Sequence, residues 1–340
     1  MPLAGKDYPG SYTELLAFFP DEEACRDYLE WLRWPAGFRC PRCAGGAGWR
    51  LSSGRWQCAV CDHQASVTAG TIFHRSRTPL QLWFAAAWLM TSQKHGISAL
   101  GLQRSLGLGS YQTAWAMLHR YRVAMVRPGR ERLTGRVEID ETYVGGLEAG
   151  VGGRETETKS IVAIAVEIKQ SRGFGRVRLQ RVDDVSQDSL IPFITGAVEP
   201  GATIHTDGWQ AYWTVPDHGY AHERTVMRQQ NDPAHVVMPG VHRVASLLKR
   251  WLLGTHQGSV GPEHLDAYLN EFVFRFNRRR SRRRGLLFYR LLKQAVATDP
   301  ITYSSLIVNP RPTGLRPTLP TRSPAPPAVQ RPWRTATGAT

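Results

Sequence analysis

The sequence has no long apolar segment and few cysteines. No run of about 18 apolar residues occurs along the chain, so no transmembrane helix is predicted. Residues 1–12 also lack the basic region and the apolar segment of a secretory signal peptide. Four of the five cysteines form two CxxC pairs, which indicate metal binding in a reducing compartment. We therefore expect a cytoplasmic protein with no membrane partner.

Acidic residues are scarce relative to basic ones. The 340-residue chain has 28 Asp and Glu against 43 Lys and Arg, which gives a formal net charge of +15. The segment 278–284 alone holds six arginines in seven positions. A basic excess of this size predicts a polyanionic partner, and nucleic acid is the partner that fits it best. We expect a DNA-binding protein that associates with the nucleoid.

Apolar periodicity and composition divide the chain into five segments. We expect a helical segment at 1–35, a module that contains the paired cysteines at 36–75, and further helices within 78–130. At 135–295 we expect strands rich in β-branched residues, with helices between them. Strands followed by interspersed helices predict a mixed α/β domain. The segment 309–340 is rich in Pro and Arg with few large apolar residues, so we predict that it is disordered.

The four paired cysteines predict one structural zinc site. Each CxxC pair directs two thiolates at one centre, and two such pairs give a closed tetrahedral shell around Zn²⁺. The 14 residues between the pairs fit a compact zinc ribbon. A closed shell leaves no position for a substrate. The expected ligands are Cys40, Cys43, Cys58 and Cys61.

Two helices joined by a glycine turn follow the cysteine module. The first is predicted over 97–105, and Ser110 is the expected N-cap of the second, which runs to about residue 126. The helix lengths and the glycine turn are those of a helix-turn-helix motif, although an ordinary helical hairpin would show the same sequence pattern. In such motifs the start of the second helix meets base edges. The candidate DNA contacts are Gln112 and Thr113 for bases, and Arg120 and Arg122 for phosphates.

Two aspartates near predicted strand ends are candidate metal ligands. The strand predicted over 136–144 alternates, with Asp140 on the face opposite Val137 and Ile139. Glu141 shares the apolar face and ranks below Asp140. Asp207 ends a short strand and precedes a glycine, although Asp-Gly is also ordinary turn chemistry. Hard cations such as Mg²⁺ prefer carboxylate oxygens.

A third candidate ligand lies on the helix predicted over 242–253. His242 and Lys249 are seven residues apart, so they differ by roughly 20° around the helix axis and lie away from its apolar stripe. A solvent-facing histidine and a surface lysine would give the same pattern. Glu271 and Arg278 repeat the spacing on the helix predicted over 263–277, so Glu271 is an alternative third ligand.

In combination these motifs resemble insertion-sequence transposases of the DDE type, with a zinc ribbon before a ribonuclease-H-like domain. The resemblance covers roughly residues 15–295. Its matching segments are the ribbon and 139–146, 206–209, 242–251, 254–258 and 268–279. The implied fold is a ribonuclease-H-like mixed sheet with flanking helices, preceded by the ribbon and a helix-turn-helix-like region.

The resemblance also implies an activity and its residues. It implies a transposase of a bacterial insertion sequence that binds terminal inverted repeats, cuts DNA and joins the freed 3′ hydroxyl to target DNA with two Mg²⁺ or Mn²⁺ ions. The family's carboxylates fall on Asp140 and Asp207, and its third position falls on His242, where much of the superfamily has Glu. Synapsis of two ends implies a homo-oligomer on double-stranded DNA. The residues implied to hold phosphates are Lys249, Arg278, Arg279 and Arg280.

Two other functions stay open at the level of sequence. The first is a DNA-binding regulator or a domesticated, inactive transposase that uses only the ribbon and the helical pair. The second is a ribonuclease-H-like nuclease without strand transfer. The intact Asp140 and Asp207 motifs favour the transposase over the inactive remnant.

Overall fold

The computed structural model describes residues 6–145, 159–169, 173–226, 233–258 and 260–308. The segment 309–340, which was predicted to be disordered, lies outside these residues. The described residues divide into two units, one of residues 6–33 with the described residues from 67 to 308, and one of Trp34–Ser66. Among the described residues, no helix combines the length and apolarity needed to cross a membrane.

The smaller unit is a three-stranded antiparallel sheet. Its strands are β1 (Gly48–Arg50), β2 (Trp56–Cys58) and β3 (Gln64–Ala65), in that order across the sheet. Phe38 and Trp56 stack with ring centroids 5.0 Å apart and form a small core with two cysteines. So little apolar surface cannot hold a fold of this size alone, which is why small ribbons depend on a bound metal.

Helices at the start of the larger unit follow the sequence pattern. The predicted first helix is split into α1 (Tyr12–Phe18) and α2 (Glu22–Arg33), and Pro20 lies between them. The later helices are α3 (Leu80–Ser92), α4 (Ala99–Leu106) and α5 (Tyr111–Ala124). Gly107 ends α4 with a φ of 62°, and the Ser110 hydroxyl caps α5 by accepting the Thr113 N–H at 3.1 Å. The predicted helical pair is therefore confirmed.

A five-stranded mixed sheet forms the centre of the larger unit. Its strands are β4 (Arg136–Val144), β5 (Ser160–Lys169), β6 (Gly173–Val182), β7 (Thr203–Asp207) and β8 (Ala221–Thr225). The order across the sheet is β6-β5-β4-β7-β8. The first three strands along the chain are antiparallel neighbours, whereas β7 pairs parallel with β4, and β8 pairs parallel with β7. This is the predicted ribonuclease-H-like sheet.

Helices cover both faces of this sheet. On one face, α6 (Gln187–Ala197) packs on Val137 and Ile139 of β4. On the other face, α8 (Pro239–His256) and α9 (Leu265–Phe276) bury the opposite side of β5. The remaining helices are α7 (Ala234–Val237), α10 (Arg284–Ala295) and α11 (Tyr303–Val308). Because both faces are covered, the interior strand β5 is almost continuously apolar.

Candidate active site

The two candidate aspartates lie on neighbouring parallel strands. Glu138 of β4 pairs with His205 of β7, and continuing that register by two residues brings Asp140 level with Asp207. Residues paired across a sheet project to the same face, because side chains alternate with a period of two. Both aspartates are half-buried. Their carboxylates therefore share one face of the sheet, Asp140 at the middle of β4 and Asp207 at the C-terminal end of β7.

Helix α8 is fixed to that same face through Glu138. The Glu138 carboxylate accepts hydrogen bonds from the backbone N–H groups of Gly240 at 2.7 Å and Val241 at 3.1 Å. A Cβ on Gly240 would lie 2.7 Å from that carboxylate, so glycine is required for the close approach. Burial raises the pKa of Glu138, although the two hydrogen bonds oppose the rise. His242 follows this attachment point directly.

Sequence reasoning missed the role of Glu138. The alternation of the strand places Glu138 on the same face as Asp140 but indicates no role for it. The available signal was a glutamate between the apolar Val137 and Ile139, combined with Pro239-Gly240 ahead of the helix predicted over 242–253. A carboxylate that accepts N–H groups at a helix N-terminus is a common anchoring arrangement.

Each aspartate is also oriented by a local backbone contact. One Asp140 oxygen accepts the N–H of Glu141 at 2.9 Å. One Asp207 oxygen accepts the N–H of Trp209 at 3.0 Å, which forms the turn at Gly208. These bonds restrict rotation of both carboxylates. Such restriction is what a preorganised metal site needs.

Lys249 lies two helical turns beyond His242 on α8. Its side chain is exposed at the surface, and burial of its stem followed by the positive charge of Lys159 lowers its pKa. Lys159 immediately precedes β5 and was not among the sequence candidates. The two lysines are close enough for their charges to interact, and together they form a positively charged patch near the start of β5.

The three candidate ligands are wider apart than the ligands of a single ion. Among the described residues, only the four ribbon cysteines form a group whose ligand atoms all lie within 4.8 Å of one another. Asp140, Asp207 and His242 therefore do not form such a group. A pair of ions about 4 Å apart is held by ligands spread over a wider span. The two oxygen donors suit Mg²⁺ or Mn²⁺, whereas the imidazole suits Mg²⁺ less well.

Glu141 lies on the opposite face, as its parity predicted. The Tyr212 hydroxyl donates a hydrogen bond to its carboxylate. The pKa of Tyr212 is raised well above its usual value, mainly because the side chain is buried and secondly because the charge of Glu141 lies next to it. Glu141 therefore belongs with the core beneath α6 and not with the Asp140 face.

The alternative third ligand, Glu271, is excluded by its surroundings. Its side chain is fully buried, and one carboxylate oxygen accepts the Nε–H of Arg122 at 2.9 Å. The Arg122 guanidinium also lies over the Tyr268 ring, 3.9 Å from its centroid. The hypothesis that Glu271 binds the metal is wrong, and so is the prediction that Arg122 contacts phosphates. This buried ion pair joins α5 to α9.

Two of the three arginines at 278–280 donate hydrogen bonds to carbonyl groups of the protein. Arg279 donates to the carbonyls of Phe276 at 2.9 Å and Gly175 at 3.1 Å. Arg278 donates to the Phe274 carbonyl at 3.1 Å and lies over its ring, and burial lowers its pKa to about 10. These contacts hold the half-buried Arg278 and Arg279 at the end of α9, and the prediction that they contact phosphates stays a prediction. The prediction for the exposed Arg280 stays a prediction.

The remaining DNA candidates lie on α5. Gln112 is exposed, Thr113 is half-buried and shares a 2.9 Å hydrogen bond with the Ser110 hydroxyl, and Arg120 is half-buried. Their positions are compatible with a partner at this surface. Their role in DNA binding stays a prediction.

The four ribbon cysteines are arranged for zinc. The Sγ atoms of Cys40 and Cys61 are 3.7 Å apart, and those of Cys43 and Cys58 are 3.6 Å apart. A tetrahedral ion with Zn–S bonds of about 2.3 Å separates its sulfurs by about 3.8 Å. The thiol quartet therefore fits one structural Zn²⁺ ion.

Comparison with protein families agrees with this architecture. Residues 132–277 match the model of the ISXO2-like transposase domain. Residues 20–64 match the model of the transposase zinc-ribbon domain. The two models together match more than half of the chain, and a comparison with curated proteins gave no match. The chain belongs to the insertion-sequence transposases that carry an N-terminal zinc ribbon, and the resemblance seen in the sequence is confirmed.

Proposed function

We propose that this transposase binds the terminal inverted repeats of its own element, cuts DNA there and transfers the freed 3′ end to target DNA. The observation that carries this proposal is the β4–β7 register, which, continued by two residues, puts Asp140 level with Asp207 on the sheet face that α8 covers. Paired carboxylates on adjacent parallel strands are suited to holding divalent cations next to phosphates.

In this proposal Asp140 and Asp207 supply oxygen ligands, and His242 supplies a nitrogen ligand from the first turns of α8. Two Mg²⁺ or Mn²⁺ ions bound there would activate the attacking hydroxyl and stabilise the leaving oxygen. Glu138 does not act as a ligand. It positions His242 by fixing the start of α8 on the sheet.

Lys249 holds a backbone phosphate next to the metal site, and Lys159 adds positive charge beside it. Lys249 is exposed, yet its pKa is lowered by burial of its stem and by Lys159. A phosphate between the two lysines would relieve their mutual repulsion. Positioning and charge neutralisation of this kind account for most of the catalysis of phosphoryl transfer.

The other segments take supporting roles in the proposal. We assign zinc-stabilised structure to the module at 36–75, DNA binding to the helical region at 78–130 and catalysis to 135–295. DNA carrying both transposon ends requires at least two active sites, so we also propose a homo-oligomer on DNA.

The experiment is cleavage and joining of a supercoiled plasmid that carries the terminal repeats flanking the coding region. We expect Mg²⁺- or Mn²⁺-dependent cutting at the ends and joined products, both abolished in Asp140→Asn and Asp207→Asn. Asp217→Asn, which changes an exposed aspartate outside the site, is the matched control. Binding without cutting would instead identify a regulator, and cutting without joined products would identify a nuclease.

A further inference from the structure

A cleft of about 350 Å³ lies between the start of α5 and the segment that precedes α3. One wall is the turn 75–78, and the other is the face of α5 that carries Gln112, Thr113 and Arg120. Trp83, Ala116 and Met117 line its interior, and Tyr303 borders it. The turn 75–78 had no assigned role in the sequence or in the proposed catalytic site.

The charge of this cleft is entirely positive. Arg75, Arg77 and Arg120 line it, and no acidic side chain is among the described residues that do so. Arg75 and Arg77 are exposed. The Nε of Arg120 is buried and has no hydrogen-bond partner among the described residues. A buried guanidinium donor without an acceptor is uncommon, and an anionic oxygen entering the cleft would satisfy it.

The two walls of the cleft are held in place by hydrogen bonds around Trp83. The Ser76 hydroxyl accepts the Trp83 indole N–H at 2.9 Å and the Thr78 N–H at 3.1 Å, which fixes the turn. The Tyr121 hydroxyl on α5 donates to the Trp83 carbonyl at 2.8 Å. Trp83 therefore fixes the turn and α5 relative to each other. A preorganised site loses less conformational entropy when a partner binds.

We propose that this cleft grips the sugar-phosphate backbone of double-stranded DNA, with Arg75, Arg77 and Arg120 paired to phosphate oxygens. The proposal rests on the proposed function, since it takes DNA as the partner. The proposal changes one expectation from the sequence, namely that Gln112 and Thr113 contact base edges. Gln112 and Thr113 line a backbone clamp, so the first turn of α5 positions the protein on DNA without reading base edges there.

The test measures DNA affinity of the full chain as a function of salt concentration. The variant Arg75→Asn/Arg77→Ala removes both exposed charges, and asparagine suits position 75 because Arg75 has a φ of 54°. Lys293→Ala, which removes an exposed charge on α10 outside the cleft, is the control. The probes are a duplex carrying a terminal repeat and an unrelated duplex of equal length. Thermal unfolding checks that each variant is folded.

We expect the double variant to bind both duplexes roughly 10-fold or more weakly at about 0.1 M salt, with a slope of log affinity against log salt shallower by about 1.8. Unchanged affinity and slope would overturn the proposal. So would a loss confined to the terminal repeat, because that is the signature of base readout. Failure of the wild-type chain to bind either duplex would overturn the proposed function itself, which separates the two outcomes.

Discussion

His242 is the residue that we propose as the third metal ligand, at a position where the resemblance implies glutamate in much of the transposase superfamily. An imidazole is a weaker ligand than a carboxylate for Mg²⁺ but accepts softer ions more readily. We expect His242→Ala to lower end cleavage by roughly 100-fold, a loss typical of removing one transition-state contact. We expect His242→Glu to keep activity and to shift the preference from Mn²⁺ towards Mg²⁺. Rates in the two metals measure both effects.

His218→Ala, at an exposed histidine outside the site, is the matched control for this comparison. An unchanged cleavage rate in His242→Ala would remove His242 from the metal site. The exclusion of Glu271 would then leave the third ligand to be sought elsewhere on the Asp140 face.

The buried pair of Arg122 and Glu271 makes a second prediction at this scale. Their side chains are 1% and 0% exposed, so removing one partner leaves an uncompensated charge inside the protein. We expect Arg122→Met to lower the free energy of unfolding by about 3–5 kcal/mol, measured by urea denaturation. The double variant Arg122→Met/Glu271→Met should recover most of that loss.

The exposed pair of Arg127 and Glu131 provides the comparison. Its side chains are 52% and 69% exposed, and such pairs contribute about 0–1 kcal/mol. Arg127→Met should therefore change stability little. An equal loss in Arg122→Met and Arg127→Met would contradict the assignment of the buried pair as the link between α5 and α9.

At the scale of elements, the attachment of α8 depends on Gly240. A Cβ there would lie 2.7 Å from a Glu138 oxygen and 2.8 Å from Cδ1 of Ile168, so the helix start must shift. We expect Gly240→Ala to cost about 1–3 kcal/mol of stability. Cleavage activity should fall as well, because His242 moves with the helix. Urea denaturation and the plasmid assay report the two effects.

Gly254, on the same helix, is the matched control. A Cβ at Gly254 would have no atom within 4 Å, so Gly254→Ala should stabilise the helix by about 0.5–1 kcal/mol and leave activity unchanged. If both alanine variants behaved alike, the close approach of α8 to Glu138 would not be what positions His242.

The ribbon makes a separate prediction at the same scale. Four thiolates hold the ion, so Cys58→Ser should lower the zinc content of the purified chain from one ion to nearly none, measured by atomic absorption. Cys25→Ala, at a buried thiol of α2, should keep its zinc. Retention of zinc in Cys58→Ser would contradict the four-cysteine site.

At the scale of the whole molecule, most elements of the fold follow from the sequence, because buried faces repeat with the period of their secondary structure. The strand β4 has the bounds expected from the sequence, and α9 begins and ends within two residues of the predicted 263–277. The edge strand β8 was missed, since Ala221–Thr225 is largely exposed and polar and gives no apolar alternation. The helix α10 was not predicted from the sequence, because the arginine-rich segment that precedes it was interpreted only as a phosphate-binding segment.

The sequence distinguished the proposed metal ligands from structural residues less well, for a physical reason. His242 with Lys249 and Glu271 with Arg278 have the same spacing on amphipathic helices. Only packing distinguishes them, because α8 begins against the Asp140 face whereas Glu271 meets Arg122 in the interior. The spacing of residues along one helix does not predict which face of a strand, distant in the sequence, that helix packs against. The contacts of Arg122 and Glu138 also depend on how distant elements pack, so the sequence pattern did not predict them.

The most direct test of the central claim is Mn²⁺ binding to the full chain, followed by electron paramagnetic resonance. If Asp140 and Asp207 together hold divalent ions, Asp140→Asn and Asp207→Asn should each weaken binding about 10-fold or more, whereas Asp217→Asn should bind as the wild type does. Equal Mn²⁺ affinity in all four proteins would contradict the account, because the level pair of aspartates would then hold no metal.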